Sequence, residues 1–157
     1  MKIFLILVGK TDDNSFANAM ESYQKRLLHY ISVETAIVPD IKNRKNLTEK
    51  AQKAQEGDLI LKLLQPSDYV VLLDERGKEH SSKEFAQFLE KKMHASLKRL
   101  VFVIGGPYGF SDKIYATASE KMALSRMTFT HQMVRLIFVE QLYRAMSILK
   151  GEPYHHE

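Results

Sequence analysis

The chain has 157 residues, 45% hydrophobic and 27% charged, a balance that excludes a disordered tail and suits one globular domain over residues 1–157. It has no cysteine, which excludes disulfides, zinc-thiolate sites and thiol nucleophiles and agrees with a reducing cytoplasm. A formal net charge of +4 permits phosphate-bearing partners without requiring them.

Met1–Val8 predicts a strand ended by Gly9. Its apolar run, Ile3 to Val8, is too short for the core of a signal peptide, and no segment has the length of a membrane span. The chain is therefore expected to be cytoplasmic and full length. Phe16, Met20, Tyr23 and Leu27, at spacings of three and four, predict a helix over Asn14–Tyr30. The stretch "ISVETAIVP" alternates as a strand closed by Pro39. Asn46 with Glu49 three residues on marks a helix start, and that helix extends to about Leu64 with Gly57 as its weak point. "DYVVLLD" is a third strand and "ERGK" after it a turn. Ser81 and Glu84 form a capping box for a helix to about Ala95. Leu100–Ile104 is a fourth strand, which leaves through Gly105 and Gly106. Ser111 is expected to cap a short helix to about Glu120, and "MALS" to form a fifth, short strand. A long helix over Gln132–Lys150 is stopped by Gly151 and Pro153.

Strands alternating with helices predict an α/β fold, a mostly parallel sheet with helices on both faces. Ligands of such sheets sit beyond the carboxyl ends of the strands. The loops "LDERGK", "GGPYG" and "LSRMTFTH" are the candidates to converge there. The last helix is apolar over nearly its whole circumference, which calls for burial on more than one side. A homodimer interface that includes Phe138 and Leu142 is the economical reading.

Common signatures are missing. No G-x-G-x-x-G follows the first strand, and no P-loop, H-E-x-x-H or G-x-S-x-G occurs. His155 and His156 are adjacent, with only Glu157 beside them, so no metal site is expected. Basic residues cluster at Lys42, Arg44, Lys45, Lys50 and Lys53, and again at Lys91, Lys92, Lys98 and Arg99. Each run taken alone reads as a solvated surface.

"VVLLDERGK", "FVIGGPYGF", "ALSRMTFTHQMVRLIFVEQLYRAMSI" and "GEPYHHE", in this order and spacing, together resemble the ribosomal RNA large subunit methyltransferase H family. These are small SPOUT-class enzymes that methylate N3 of a pseudouridine in large-subunit rRNA with S-adenosylmethionine. The resemblance implies a C-terminal trefoil knot, which general topology rules would not suggest, and an obligate homodimer acting on rRNA in the ribosome. It places Leu73, Gly105, Gly106, Leu124, Ser125, Arg126, Met127, Thr128 and Phe129 around the methyl donor. By the same resemblance Tyr154 and His155 form a tail over the active site. His131, Arg135 and His155 are the catalytic candidates, and Tyr154, His155 and Arg135 the substrate-binding ones. The basic runs would contact rRNA phosphates.

Read without the resemblance, Leu73 is core, the glycine pair is a tight turn needing positive φ, and the tail is a frayed end. His131 and Arg135 stand one helical turn apart on one face. An arginine in so apolar a helix needs a partner, either a substrate phosphate or a carboxylate such as Glu140 of the partner subunit. Thr130 stands where many relatives have proline, and His156 where many have arginine or lysine. Two other readings stay open: a non-catalytic ribosome-associated RNA-binding or assembly module, and a nucleotide-dependent oxidoreductase using the glycine turn.

Overall fold

The computed structural model describes residues 1–156, and Glu157 lies outside them. Strands β1 (Lys2–Val8), β2 (Val33–Val38), β3 (Tyr69–Glu79), β4 (Arg99–Ile104) and β5 (Glu120–Ala123) form one sheet in the order β2-β1-β4-β3-β5. Every neighbouring pair is parallel. A parallel sheet is covered on both faces, which is why β1 and β4 are apolar runs rather than alternating ones. Helices α1 (Asn14–Leu27), α3 (Ser82–His94) and α5 (Met133–Leu149) cover one face, over Leu5, Val71, Leu100 and Phe102. Helices α2 (Glu49–Leu63) and α4 (Asp112–Thr117) cover the other, over Phe4, Ile6, Val70 and Val103.

The helix ends follow local chemistry, with several shifts from the sequence reading. Asp13 caps α1 by accepting from the N–H groups of Ser15 and Phe16, and α1 stops at Leu27, short of Tyr30. The start of α2 is set by Thr48, whose hydroxyl accepts from Ala51 N–H; Asn46 belongs instead to the preceding short 3₁₀ turn, Arg44–Asn46. The capping box of Ser81 and Glu84 forms as expected. Ser111 precedes α4 but makes no side-chain capping bond. Its hydroxyl faces Gly57, where an added Cβ would come within 2.5 Å of it. Gly57 is thus the point where α2 meets the start of α4, not a weakness in α2.

Helix α5 is buried differently from the expectation. Phe138 and Leu142 are fully buried within the protomer, and Phe138 packs on Phe102 at 4.8 Å between ring centroids. The helix lies against both α1 and α3 as well as the sheet, so one chain supplies the several-sided burial that was attributed to a second copy. The basic runs are also partly structural. Arg99 is held by Asp68 at 2.5 Å and by the Leu63 carbonyl at 2.8 Å, and Lys92 pairs with Glu120 at 3.0 Å. No helix among the described residues is long and apolar enough to cross a membrane.

The largest departure is β3. "ERGK" is not a turn that ends the strand; the chain deviates there and then resumes as strand to Glu79. Leu73 and Lys78 are both registered against Met122 of β5, so the residues between them are looped out of the ladder. Gly77 makes this possible, because a Cβ there would overlap the backbone of Met122. Gly77→Ala is expected to destabilise the protein by about 2 kcal/mol or more through forced displacement of β5. Urea denaturation measures this, and an unchanged midpoint would show that β5 yields freely.

Candidate active site

The carboxyl ends of β3, β4 and β5 converge on a cavity of about 420 Å³, the size of a small-molecule or cofactor site. The slip in β3 projects Leu73, Asp74, Glu75 and Arg76 into one wall. The turn from Gly105 to Phe110 forms a second, and residues 122–125 and 127–129 a third, with His131 and Val134 closing the edge at the start of α5. Met127 stands at the rim with 77% of its surface exposed.

The glycine pair works by close approach rather than by unusual backbone. Neither Gly105 nor Gly106 has positive φ; that conformation falls on Gly109, at +80°, whose N–H donates to the Gly106 carbonyl at 3.2 Å. A Cβ on Gly105 would lie 3.0 Å from the Phe110 ring, and one on Gly106 would lie 3.4 Å from a Glu56 carboxylate oxygen. The pair therefore needs no positive φ: the Phe110 ring crowds a side chain at Gly105, whereas a Cβ at Gly106 would make only ordinary contact with Glu56. Glu56 is buried, hydrogen-bonded by Gln52 at 3.1 Å, and its burial raises its pKa above the usual carboxylate range.

Sequence reasoning missed the polar cluster on the β3 wall. Tyr115 of α4 donates its hydroxyl hydrogen to Asp74, and Arg76 donates to the same hydroxyl oxygen at 2.9 Å. Burial alone would raise the Asp74 pKa, but the bonds from Tyr115 and from the Arg76 N–H, with the guanidinium charge, outweigh it and hold the carboxyl below its ordinary range. The cavity therefore carries a fixed anion. Asp74 belongs to "VVLLDERGK", but its partner Tyr115 is 41 residues away and nothing local links them.

His131 lines the cavity, and burial together with the nearby Arg135 charge lowers its pKa below the ordinary histidine value. Its ring is thereby biased toward the neutral form, able to accept a proton. Thr130, just before it, caps the first turn of α5: its hydroxyl accepts from Met133 N–H at 3.1 Å and its carbonyl from Val134 N–H at 3.0 Å. A residue with the side-chain oxygen that proline lacks thus organises this loop by hydrogen bonding.

Arg135 does not reach the cavity. It is 0% exposed, and its guanidinium donates to the carbonyls of Val8 at 2.5 Å and Gly9 at 2.9 Å and to the Thr11 hydroxyl at 3.1 Å. Backbone oxygens at the end of β1 supply the partner that was sought in a phosphate or in Glu140. Glu140 is instead bound by Arg144 at 2.6 Å and by the Tyr154 hydroxyl at 3.0 Å. Arg126 also lies outside the cavity lining, 89% exposed at its side chain and 3.8 Å from Glu79.

The tail is docked, not frayed, and within one protomer it does not line the cavity. Tyr154 packs on Tyr143 at 4.7 Å between centroids under the Arg144 guanidinium, and its hydroxyl also meets Tyr23 at 3.3 Å. Burial, with the bonds to Tyr23 and Glu140, raises its pKa. His155 Nδ1 lies 3.3 Å from Arg144. Glu140 is six positions beyond Val134, about 9 Å along α5 at ~1.5 Å per residue. His156 is exposed. Among the described residues no group of His, Cys, Asp and Glu is placed to hold a metal ion.

Residues 1–155 match the family model described as predicted SPOUT methyltransferase. The chain is 64% identical over 157 residues to the ribosomal RNA large subunit methyltransferase H of Parabacteroides distasonis, covering the whole of both chains. It is 58% identical to the protein of that name from Phocaeicola vulgatus and 57% to that from Bacteroides fragilis, again over the full length of each.

Arg135→Met, which keeps bulk but removes every donor, is expected to cost about 3 kcal/mol, since the carbonyls of Val8 and Gly9 are left buried without their partner. Thermal or denaturant unfolding tests this; wild-type stability would mean that those carbonyls find other donors.

Proposed function

The chain belongs to the SPOUT methyltransferase family, and from that premise we propose that it transfers a methyl group from S-adenosylmethionine to N3 of a pseudouridine in large-subunit rRNA, acting on the ribosome as a cytoplasmic enzyme. The observation that carries this reading is the convergence of Leu73, the Gly105–Gly106 turn, Leu124, Ser125 and residues 127–129 on one cavity with His131 at its edge. The cavity suits a nucleoside-sized donor: its floor is apolar at Leu73, Ile104, Met122 and Val134, and its glycine turn offers bare backbone. Backbone N–H and C=O groups of such loops read an adenine edge without a fixed side-chain code.

The donor, when bound, supplies a methyl group on a sulfonium leaving group. What remains for the chain is alignment and removal of the N3 proton. His131, biased neutral by burial, is the proton acceptor in this reading. Asp74, held ionised by Tyr115 and Arg76, provides a fixed negative wall suited to a cationic donor. Arg135 is a positioning residue. It ties the first turn of α5 to the end of β1 and so fixes where His131 stands.

The proposal includes a homodimer and a knotted C-terminal half, both of which the family resemblance implies. Half-buried Met133, Leu136, Ile137, Gln141 and Ile148 leave a strip along α5, running away from the cavity edge, for a second copy. In such a dimer Tyr154 and His155 of one chain serve the cavity of the other, because in their own chain they sit beyond its lining.

Mass spectrometry of rRNA from a strain lacking this gene is expected to show one pseudouridine without its N3-methyl group, restored by purified protein and donor. Ribosome association without methyl transfer would support the non-catalytic reading instead. For His131→Gln, kcat is expected to fall at least about a hundredfold, with donor affinity retained. In the wild type kcat/KM is lost as pH falls through the His131 pKa, which lies below the ordinary ~6.5. A His131→Gln enzyme with the same rate and the same acid limb would remove His131 from the chemistry.

Deleting Tyr154–Glu157 is expected to abolish rRNA methylation while donor affinity stays near wild type. Mixing that truncation with a full-length chain inactivated at Gly105 should restore activity in heterodimers if the tail acts across the dimer. Wild-type turnover by the truncation would reduce the tail to packing.

A further inference from the structure

A second cavity, of about 640 Å³, adjoins the first. Arg76, Tyr108, Phe110 and Tyr115 line both, so the two are separated by one ridge of aromatic side chains. The outer wall of the second cavity is Lys53 of α2 and Lys121 of β5. Among the described residues neither lysine makes an ion pair, whereas most other cations near the sheet are engaged: Lys92 with Glu120, Arg99 with Asp68, Lys113 with Asp58. Glu120 also lines the cavity, but its charge is met by Lys92 at 3.0 Å and by the Tyr69 hydroxyl. Asp112 is the one lining carboxylate without an ion pair among the described residues. The balance favours an anion.

The aromatic side of the ridge adds a second property. Tyr108 is 46% exposed, an unusually bare aromatic ring for this chain. The Arg76 guanidinium stacks 5.5 Å from the Tyr115 ring centroid, and Lys121 Nζ lies 5.8 Å from the same centroid. Anion-attracting lysines beside the exposed Tyr108 ring match the chemistry of single-stranded nucleic acid, whose phosphates track cations while its bases stack on aromatics. An acidic peptide would use the lysines but leave the Tyr108 ring idle.

We infer that this second cavity holds the nucleotide next to the methylated one, with its phosphate at Lys53 and Lys121 and its base on Tyr108. The inference rests on the rRNA methyltransferase reading above. A base brought to the mouth of the first cavity, to meet the donor's methyl group, must be unstacked from its neighbours. Its adjoining backbone then crosses the ridge that both cavities share. The second cavity replaces the lost stacking partner and neutralises the strand there, which lowers the free energy needed to extract the target base. Lys53 and Lys121 lie outside the first cavity, so their contribution is to RNA and not to the methyl donor.

Steady-state methylation of ribosomes from a strain lacking the gene tests this with Lys53→Ala/Lys121→Ala and the charge-reversed Lys53→Glu/Lys121→Glu. The KM for ribosomes is expected to rise about tenfold or more in the charge-reversed protein. Donor Kd, by calorimetry, should remain that of wild type. In the alanine protein the slope of log kcat/KM against log salt should become shallower by about one per lysine removed. A photo-crosslinking residue in place of Lys121 should attach to rRNA near the methylated nucleotide. An unchanged KM, a weakened donor Kd, or crosslinks to ribosomal protein alone would each overturn the inference. Wild-type protein that methylates no ribosome would overturn the underlying reading, an outcome separate from wild-type activity with indifferent variants.

Discussion

The candidate site depends on one constraint, the break in register between β3 and β5. Parallel strands exchange evenly spaced hydrogen bonds, so residues looped out between Leu73 and Lys78 must leave the sheet plane. They leave it at the carboxyl end, where Asp74 and Arg76 become a wall of the cavity rather than part of the ladder. Met122 holds the break on the other side by pairing with β3 both before and after it. An uninterrupted β3 would carry Asp74 to Arg76 onward along the sheet and leave no pocket between β3 and β5.

A second constraint sets the opposite wall. Arg135 closes the end of β1 with three donated hydrogen bonds, at the expense of burying a cation with no carboxylate against it. Asp12 and Asp40 oppose the lowering of its pKa only from a distance, after burial has acted. The same cation sits beside His131 and adds to burial in keeping that ring neutral. One arginine therefore fastens α5 to the sheet and tunes the histidine in the turn just before the helix. The two acid–base environments of the cavity are pushed apart in this way, an anionic carboxylate on the β3 wall and an imidazole disfavoured as a cation at the α5 edge.

The order of strands and helices, the parallel sheet and the three converging loops were all readable along the chain, because each rests on local patterns. Apolar runs of strand length, spacings of three and four, a capping box and stop glycines act over a few residues. The motifs that resemble a known family also pointed to eight of the cavity-lining positions, Leu73, Gly105, Gly106, Leu124, Ser125, Met127, Thr128 and Phe129. The fold alone decided the rest. "ERGK" has the composition of a turn, and only the pairing of β5 with Lys78 and Glu79 makes it part of a strand. Helix α5 looks like an interface from its composition, yet α1 and α3 already flank it. The spacing of His131 and Arg135 suggests one shared helical face, but His131 lies in the turn before α5 and the partners of Arg135 are carbonyls 126 and 127 residues away. Tyr115 and Asp74, like Lys53 and Lys121, are brought together by sheet order rather than by spacing. A side chain's local conformation is set by its neighbours in sequence; the partner of a buried charge, and the cavity a loop faces, are set by which distant elements the packing brings alongside.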